Sequence, residues 1–283
     1  MMVLSDVAEL AAGMTLREQP FALATVIRTV SSTAAKPGAK AVILADGTVG
    51  AGWIGGGCAR GAVLRAAKEA LADGQPRLIS IQPEAQLRER HVEAGEIRNG
   101  VQFARNFCTS RGIMDVFVEP ILPPPRLRLY GASPVAVALA SLGPKFGFTV
   151  TVQAPAADHA LFPTESHLCD GYAGSLAMED EYVVVASQGR GDSEALTAAM
   201  AAGSRYTAFV GSMRKVAALK ASLLATGCSA GWLDALHAPA GLDIGAVTPE
   251  EIALSILGEI VRERRRPSHL AQVTRAEMGA GVL

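Results

Sequence analysis

Apolar and polar positions change period several times along the chain, and each change marks an element. Val7, Leu10, Ala11 and Met14 recur at helical spacing, with Ser5 placed to cap the start. Phe21–Val30 is a mostly apolar run of strand length. Ser31–Gly38 is polar and ends in the turn pair Pro37-Gly38. Lys40–Ala45 and Thr48–Ile54 flank Asp46-Gly47, a dipeptide that tolerates the positive φ of a tight hairpin turn. Gly55-Gly56-Gly57 follows, and Cys58 opens a predicted helix running to about Asp73. Arg77–Gln82 and Ile113–Pro120 read as strands. Pro83–Gly100 is charged, has no clean period, and is predicted as loop with some helix.

Pro123-Pro124-Pro125-Arg126 can continue neither a helix nor an inner strand, so it predicts a stiff extended linker. It divides the chain into an N-terminal α+β domain, 1–122, and a C-terminal domain, 127–266, with a tail over 267–283 that is expected to be mobile. In the C-terminal domain the period alternates. Leu127–Tyr130 is a strand and Pro134–Lys145 a helix, with Pro134 suited to its first turn. Phe148–Gln153 and the near-continuous apolar run Tyr182–Ala186 are strands; Ser193–Ala202 is helical, Tyr206–Gly211 a strand, and Arg214–Ala225 helical. A last helix opens at Thr248-Pro249-Glu250-Glu251, which combines a cap, a first-turn proline and acids at the positive helix end. The order β-α-β-β-α-β-α predicts an α/β fold with a Rossmann-like parallel sheet.

Composition narrows the function classes. The chain is 49% hydrophobic and 19% charged, an ordinary globular balance. Its formal net charge of -1 gives no general affinity for nucleic acid or anionic membrane. No apolar run reaches the ~20 residues of a membrane span, and the first residues lack the basic start and cleavage site of a signal peptide, so a cytoplasmic location is expected. The four cysteines, Cys58, Cys108, Cys169 and Cys228, form no C-x-x-C pair, which argues against a structural zinc site or a redox dithiol.

Four segments could carry chemistry. In Gly55-Gly56-Gly57-Cys58 the glycines let a ligand approach the backbone, and the helix start adds partial positive charge suited to an anion. That field would lower the pKa of the Cys58 thiol, making it a better nucleophile or metal ligand, and Arg60 could add charge. The spacing fits equally a tight turn around an inert cysteine. Gly131-Ala132-Ser133-Pro134 stands where a dinucleotide fingerprint stands, yet Ser133 replaces the glycine that admits a pyrophosphate. The second strand ends Val152-Gln153-Ala154, with no acid for a ribose hydroxyl. Gly211, Ser212, Arg214 and Lys215 lie at a strand end, where they could hold a phosphate or serve as an ordinary cap. Ser187-Gln188-Gly189-Arg190-Gly191-Asp192 is a ligand loop or a plain connection. Cys108, in a polar turn before a strand, could act with Cys58 if the fold brings them together. The five histidines are scattered and read as solvent-exposed or internally satisfied.

Several motifs together resemble one family, the XdhC/CoxF maturation factors of molybdenum hydroxylases such as xanthine dehydrogenase and carbon monoxide dehydrogenase. They are Lys36-Pro37-Gly38-Ala39-Lys40, Asp46-Gly47, Gly55-Gly56-Gly57-Cys58, Cys108, Gly131-Ala132 and Gly211-Ser212-Met213-Arg214-Lys215. The tandem blocks Pro239–Ala246 and Thr248–Ala253 complete the set, so the likeness runs from about Ala8 to Arg264. The sequence departs from the family pattern at Arg60, where a Glu is usual, at Cys108-Thr109-Ser110 in place of C-G-G, and at Ser133-Pro134 and Ser187-Gln188-Gly189.

The resemblance implies an accessory protein rather than a turnover enzyme. It would bind the molybdenum cofactor (molybdopterin, alternatively its cytosine dinucleotide form), support cofactor sulfuration, and pass the cofactor to an apo molybdenum hydroxylase. Cys58 and Cys108 are the implied ligands of the metal, and the glycine loop would suit the cofactor's phosphate. A cysteine desulfurase is a further implied partner, and a homodimer is left open. Two alternatives stand beside this reading: an NAD(P)-dependent oxidoreductase, from the Rossmann order and Gly131, and a partner-binding scaffold with a degenerate nucleotide site.

Overall fold

The computed structural model describes residues 4–31, 33–107, 112–172, 181–204, 206–225 and 227–265. The chain forms two compact units, Met1–Pro123 and Pro124–Leu283.

In the first unit, α1 (Leu4–Leu16) and β1 (Phe21–Val30) precede a hairpin of β2 (Lys40–Leu44) and β3 (Val49–Gly52). Ser5 therefore lies inside the first turn of α1 rather than at its cap. Only Gly47 of the hairpin loop has a positive φ, 83°, and its N–H donates to the Leu44 carbonyl at 2.9 Å. Asp46 accepts from the Thr48 N–H and hydroxyl, at 2.8 and 2.7 Å, which closes the turn. Then come α2 (Gly57–Asp73), β4 (Arg77–Pro83), α3 (Glu84–Glu89), β5 (Ile97–Arg98), β6 (Val101–Asn106) and β7 (Ile113–Ile121). The charged stretch before Gly100 thus holds one short helix and one short strand, and β6 is a strand that periodicity did not show.

The strands form one sheet in the order β3-β2-β1-β7-β4-β6-β5. Only the pair β4–β6 is parallel. Alternate side chains face opposite sides. Ala22, Ala24, Val26, Ile79, Ile81, Val116 and Val118 meet the small-residue face of α2, Ala62, Val63, Ala66, Ala67 and Ala70. On the other face Val7 and Met14 of α1 pack on Phe21, Val42 and Ala51. Leu87, Val92 and Phe103 form a separate cluster at the far side.

The second unit contains β8 (Arg126–Tyr130), α4 (Pro134–Leu142), β9 (Thr149–Ala154), β10 (His167–Asp170), β11 (Glu181–Val185), α5 (Asp192–Ala202), β12 (Tyr206–Phe209), α6 (Met213–Ala225), α7 (Ala230–Ala235) and α8 (Pro249–Arg264). The α-helix that was expected to reach Lys145 ends at Leu142 and tightens to a 3-10 turn over Gly143–Phe146. The sheet is all parallel, in the order β10-β9-β8-β11-β12. Counted within this unit the order is 3-2-1-4-5, the Rossmann half-fold, with its topological switch between β8 and β11. Leu127, Leu129, Val152 and Val184 face α4 and α8 through Leu139, Ile256, Leu257 and Ile260. Tyr130, Val183, Val185 and Phe209 face Leu196 of α5 and Val216 of α6.

Candidate functional site

Strand register places three loops, and the direct junction of β4 with α3, at one end of the first unit's sheet. Val30 pairs with Ile113, Lys40 with Thr25, Gly52 with Ala41, and Pro83 with Asn106. The loops after β1, after β3 and after β6 therefore leave the sheet together, and α2 starts there. The loop after β1 is pinned at its return: Gly38 N–H donates to the Val26 carbonyl at 2.8 Å, and Val26 N–H to the Ala39 carbonyl at 2.9 Å. A Cβ on Gly55 would lie 3.9 Å from both the Ala35 Cβ and the Met114 Cε, so Gly55 packs between the loop after β1 and a side chain of β7. The Asn106 side-chain amide donates to the Gly112 carbonyl at 2.8 Å and ties the ends of the third loop.

The glycines differ in role. Gly55 is buried with φ 108°, a backbone state that excludes most side chains. Gly56, at the N-cap of α2, has no side-chain cap bond. Gly56 and Gly57 are exposed, and a Cβ on either would meet nothing within 4 Å. Gly56 offers no side chain to cap this 17-residue helix, whose first N–H groups lie at its positive end. Cys58 lies in the first turn of α2. Cys108 is outside the described residues. Among the described residues no group of three His, Cys, Asp or Glu side chains could hold a metal.

The C-terminal edge of the parallel sheet gathers Gly131, Gly211, Ser212, Arg214 and Lys215 with the 187–192 loop. This edge is largely satisfied from within. Gly131 (φ 106°) sits against the next strand: its Cβ would fall 2.5 Å from the Ser187 Cα and 2.7 Å from the Ala186 carbonyl oxygen. Ser133 is buried, and its hydroxyl accepts from the Ala136 N–H at 3.2 Å. With Pro134 carrying no N–H, the start of α4 lacks the cluster of free donors on which a pyrophosphate rests. Lys215 pairs with Asp192 at 2.6 Å, and Asp192 also accepts from the Ser187 hydroxyl at 2.5 Å and the Gly189 N–H at 2.9 Å. Burial alone would raise the Asp192 pKa; the bonds from Lys215 and Ser187 outweigh it and hold the carboxyl below its usual value. Arg190 reaches Asp158 at 3.2 Å and the Ala132 carbonyl at 3.3 Å. Of the predicted group, Arg214 is exposed, and Ser212 accepts from the Lys215 N–H at 3.4 Å as a weak helix cap.

Two buried polar groups escaped the sequence reading. Arg128 and Glu181 form a two-pronged ion pair at 2.8 and 2.9 Å across β8 and β11. Glu259 of α8 accepts from the Tyr206 hydroxyl at 3.0 Å and the Gly241 N–H at 2.8 Å, and meets the His237 Nδ1 at 3.0 Å. Burial pushes the Tyr206 hydroxyl well above its usual value, reinforced by the Glu259 charge. Burial also opposes ionisation of Glu259, but bonds from His237, Gly241 and Tyr206 bring its pKa down to about 2. The block Pro239–Ala246 is therefore anchored by its backbone onto α8. The next block caps that helix: Thr248 accepts from the Glu251 N–H, and the Glu251 carboxylate accepts from the Thr248 and Val247 N–H groups. Thr248→Ala is expected to lower stability by ~1 kcal/mol, read by urea denaturation, with no change in the unfolding slope.

Two family models match the chain. Residues 15–82 match the XdhC and CoxI family, and residues 127–260 match the XdhC Rossmann domain. The chain belongs to the XdhC and CoxI family. The XdhC chain is 30% identical over 273 residues to "Uncharacterized protein YqeB" of Escherichia coli (strain K12), covering 90% of this chain and 47% of the relative. It is 30% identical over 161 residues to a probable xanthine dehydrogenase subunit from Bacillus subtilis (strain 168), covering 54% of this chain and 47% of the relative. It thus spans just under half the length of both curated relatives. A crystal structure titled as a xanthine dehydrogenase from Bacillus halodurans aligns with a TM-score of 0.44 at 20% identity, covering 93% of this chain and 98% of that one. No described helix of this XdhC chain is long and apolar enough to cross a membrane.

Proposed function

We propose that this XdhC-family protein is a maturation factor that binds the molybdenum cofactor, supports its sulfuration, and hands it to an apo molybdenum hydroxylase. The observation that carries the reading is the family match on both sides of the proline linker. The relative from Bacillus subtilis, by its name, belongs to a xanthine dehydrogenase system. The first unit fits the cargo's chemistry. An uncapped helix start with open space at Gly56 and Gly57 suits a phosphate. Cys58 in that turn and Cys108 in the neighbouring loop would supply soft thiolates for a metal–sulfur centre. The second unit supports the reading from the other side. At its switch point Ser133 uses its hydroxyl on its own helix and Pro134 brings no N–H, so the start of α4 offers a nicotinamide dinucleotide few donors.

Freshly purified protein is expected to carry molybdenum and, after oxidation, a fluorescent pterin derivative. Cys58→Ala and Cys108→Ala should each reduce molybdenum content at least about ten-fold, since loss of a thiolate ligand weakens the hold on the metal. A deletion strain with normally loaded and fully sulfurated hydroxylase would overturn the reading. NAD(H) or NADP(H) at millimolar concentration should leave the melting temperature unchanged, whereas ligand at ~100 times its Kd would stabilise by about 2.7 kcal/mol.

A further inference from the structure

The end of the first unit that carries the glycine loop is also apolar and basic. Trp53 is 51% exposed, Phe107 68%, Ile27 50% and Val30 41%, although all four belong to or directly adjoin sheet strands. Ile27 is turned out by the irregularity between Val26 and Arg28 in the pairing of β1 with β7. Phe107 carries the Arg105 guanidinium 4.6 Å above its ring. The loops 31–39 and 53–60 contain Lys36 and Arg60 and no acidic residue, and both basic side chains are exposed. Two carboxylates close to this end by register are engaged: Asp115 with Arg28 and Ser80, and Glu84 with Arg88 and Arg105. The chain as a whole has a net charge of -1, so this basic end stands out against its surroundings.

We infer that this end is the docking face for the acceptor hydroxylase, which would meet it with an apolar surface rimmed by Asp and Glu. The inference rests on the maturation reading and assigns it a surface. Six strands from β3 to β6 put Trp53 and Phe107 roughly 24 Å apart at strand spacing. A standard interface takes ~800 Å² from each partner, a patch about 28 Å across, so the two aromatics mark a face of the right width. Exposed Trp, Phe and Arg are the residue types that dominate interface energetics. A second copy of this chain is a poor occupant, because a two-fold contact would set this basic face against an identical basic face. Cargo held at Gly56 and Gly57 would lie inside the contact and could pass without entering bulk water.

The test is binding of the full chain to cofactor-free molybdenum hydroxylase from the same cells, followed by titration calorimetry. The wild-type affinity should fall as salt rises from about 50 to 300 mM. Trp53→Ser with Phe107→Ser should weaken binding at least about ten-fold, and Lys36→Glu should weaken it several-fold and flatten the salt dependence. Leu16→Ser, on a residue 85% exposed at the end of α1, beyond the opposite end of β1, should change nothing. Wild-type-like binding by both the aromatic and the Lys36 variants overturns the inference and leaves the maturation reading standing. Absence of any wild-type complex overturns both. Self-association abolished by the aromatic pair would instead assign the face to a second copy.

Discussion

Replacing Glu259 with alanine is expected to destabilise the second unit by on the order of 4 kcal/mol and to lower its melting transition by about 10 °C. The carboxylate is the common acceptor for the Tyr206 hydroxyl and the Gly241 N–H, and it meets His237 as well. A buried donor left unmet costs ~1–3 kcal/mol, and here two or three would be left at once. The methylene stem of Glu259 also packs in the α8 layer, where the side chain is 8% exposed. The same group predicts acid sensitivity. Its pKa is about 2 in the folded protein against 4.5 ordinarily, so the folded state favours the ionised form. The resulting stability is fully present above pH 4.5 and is lost as pH falls from there toward 2, by roughly 3 kcal/mol in all. Glu259→Gln keeps the shape and removes the proton linkage. Its stability should start lower at pH 7 and decline less steeply below pH 4.5, as followed by urea denaturation at stepped pH. An unchanged acid slope in Glu259→Gln would show that other groups carry it.

Gly131→Ala should cost ~3 kcal/mol or more, although it adds one methyl group. The new Cβ would meet the Ser187 Cα at 2.5 Å and the Ala186 carbonyl oxygen at 2.7 Å. Both are backbone atoms, so no rotamer change relieves the contact. They are held in place because Ala186 N–H donates to the Tyr130 carbonyl at 2.8 Å and Ser133 N–H to the Ala186 carbonyl at 3.2 Å. Gly189→Ala is the matched control. Its φ is also positive, 92°, but its Cβ would meet nothing within 4 Å. It should cost about 1 kcal/mol, the conformational part alone. A pair of equal losses would assign the Gly131 effect to backbone strain rather than to crowding. The requirement for glycine at 131 therefore needs no bound nucleotide to explain it.

Strong periodicity was legible wherever one face of an element is buried end to end. Phe21–Val30 coincides with β1, and the run Tyr182–Ala186 corresponds to β11, buried along its whole length in the middle of the parallel sheet. The glycine run and its helix were legible because glycine and a helix start leave local marks. Short elements at the margins were not. β10 is a four-residue edge strand, His167–Asp170, with no residue fully buried, and β6 mixes Gln102, Arg105 and Asn106 with its apolar positions. Buried charge was the other blind spot. Arg128 and Glu181 lie 53 residues apart in sequence, as do Tyr206 and Glu259, and each alone looks like a solvated side chain. The gathering of three loops at one end of the first sheet depends on the order β3-β2-β1-β7-β4-β6, which no local pattern encodes.

The segment after α7 has a consequence for how the second sheet can grow. His237 N–H donates to the Thr207 carbonyl at 3.0 Å, and Phe209 and Ala240 complete the pairing, so a short parallel stretch lies along β12. The hydrogen-bonding groups on that flank are consumed, and a foreign strand finds no template there. The opposite flank, β10, pairs only with β9 among the described residues and ends in Asp170, whose carboxylate accepts the Ala156 N–H. Fibre-like addition would thus have to start on four residues bounded by a charge, which is a poor seed. A destabilising change in the 237–241 segment should therefore show itself first as aggregation of an otherwise folded sheet, before any loss of secondary structure.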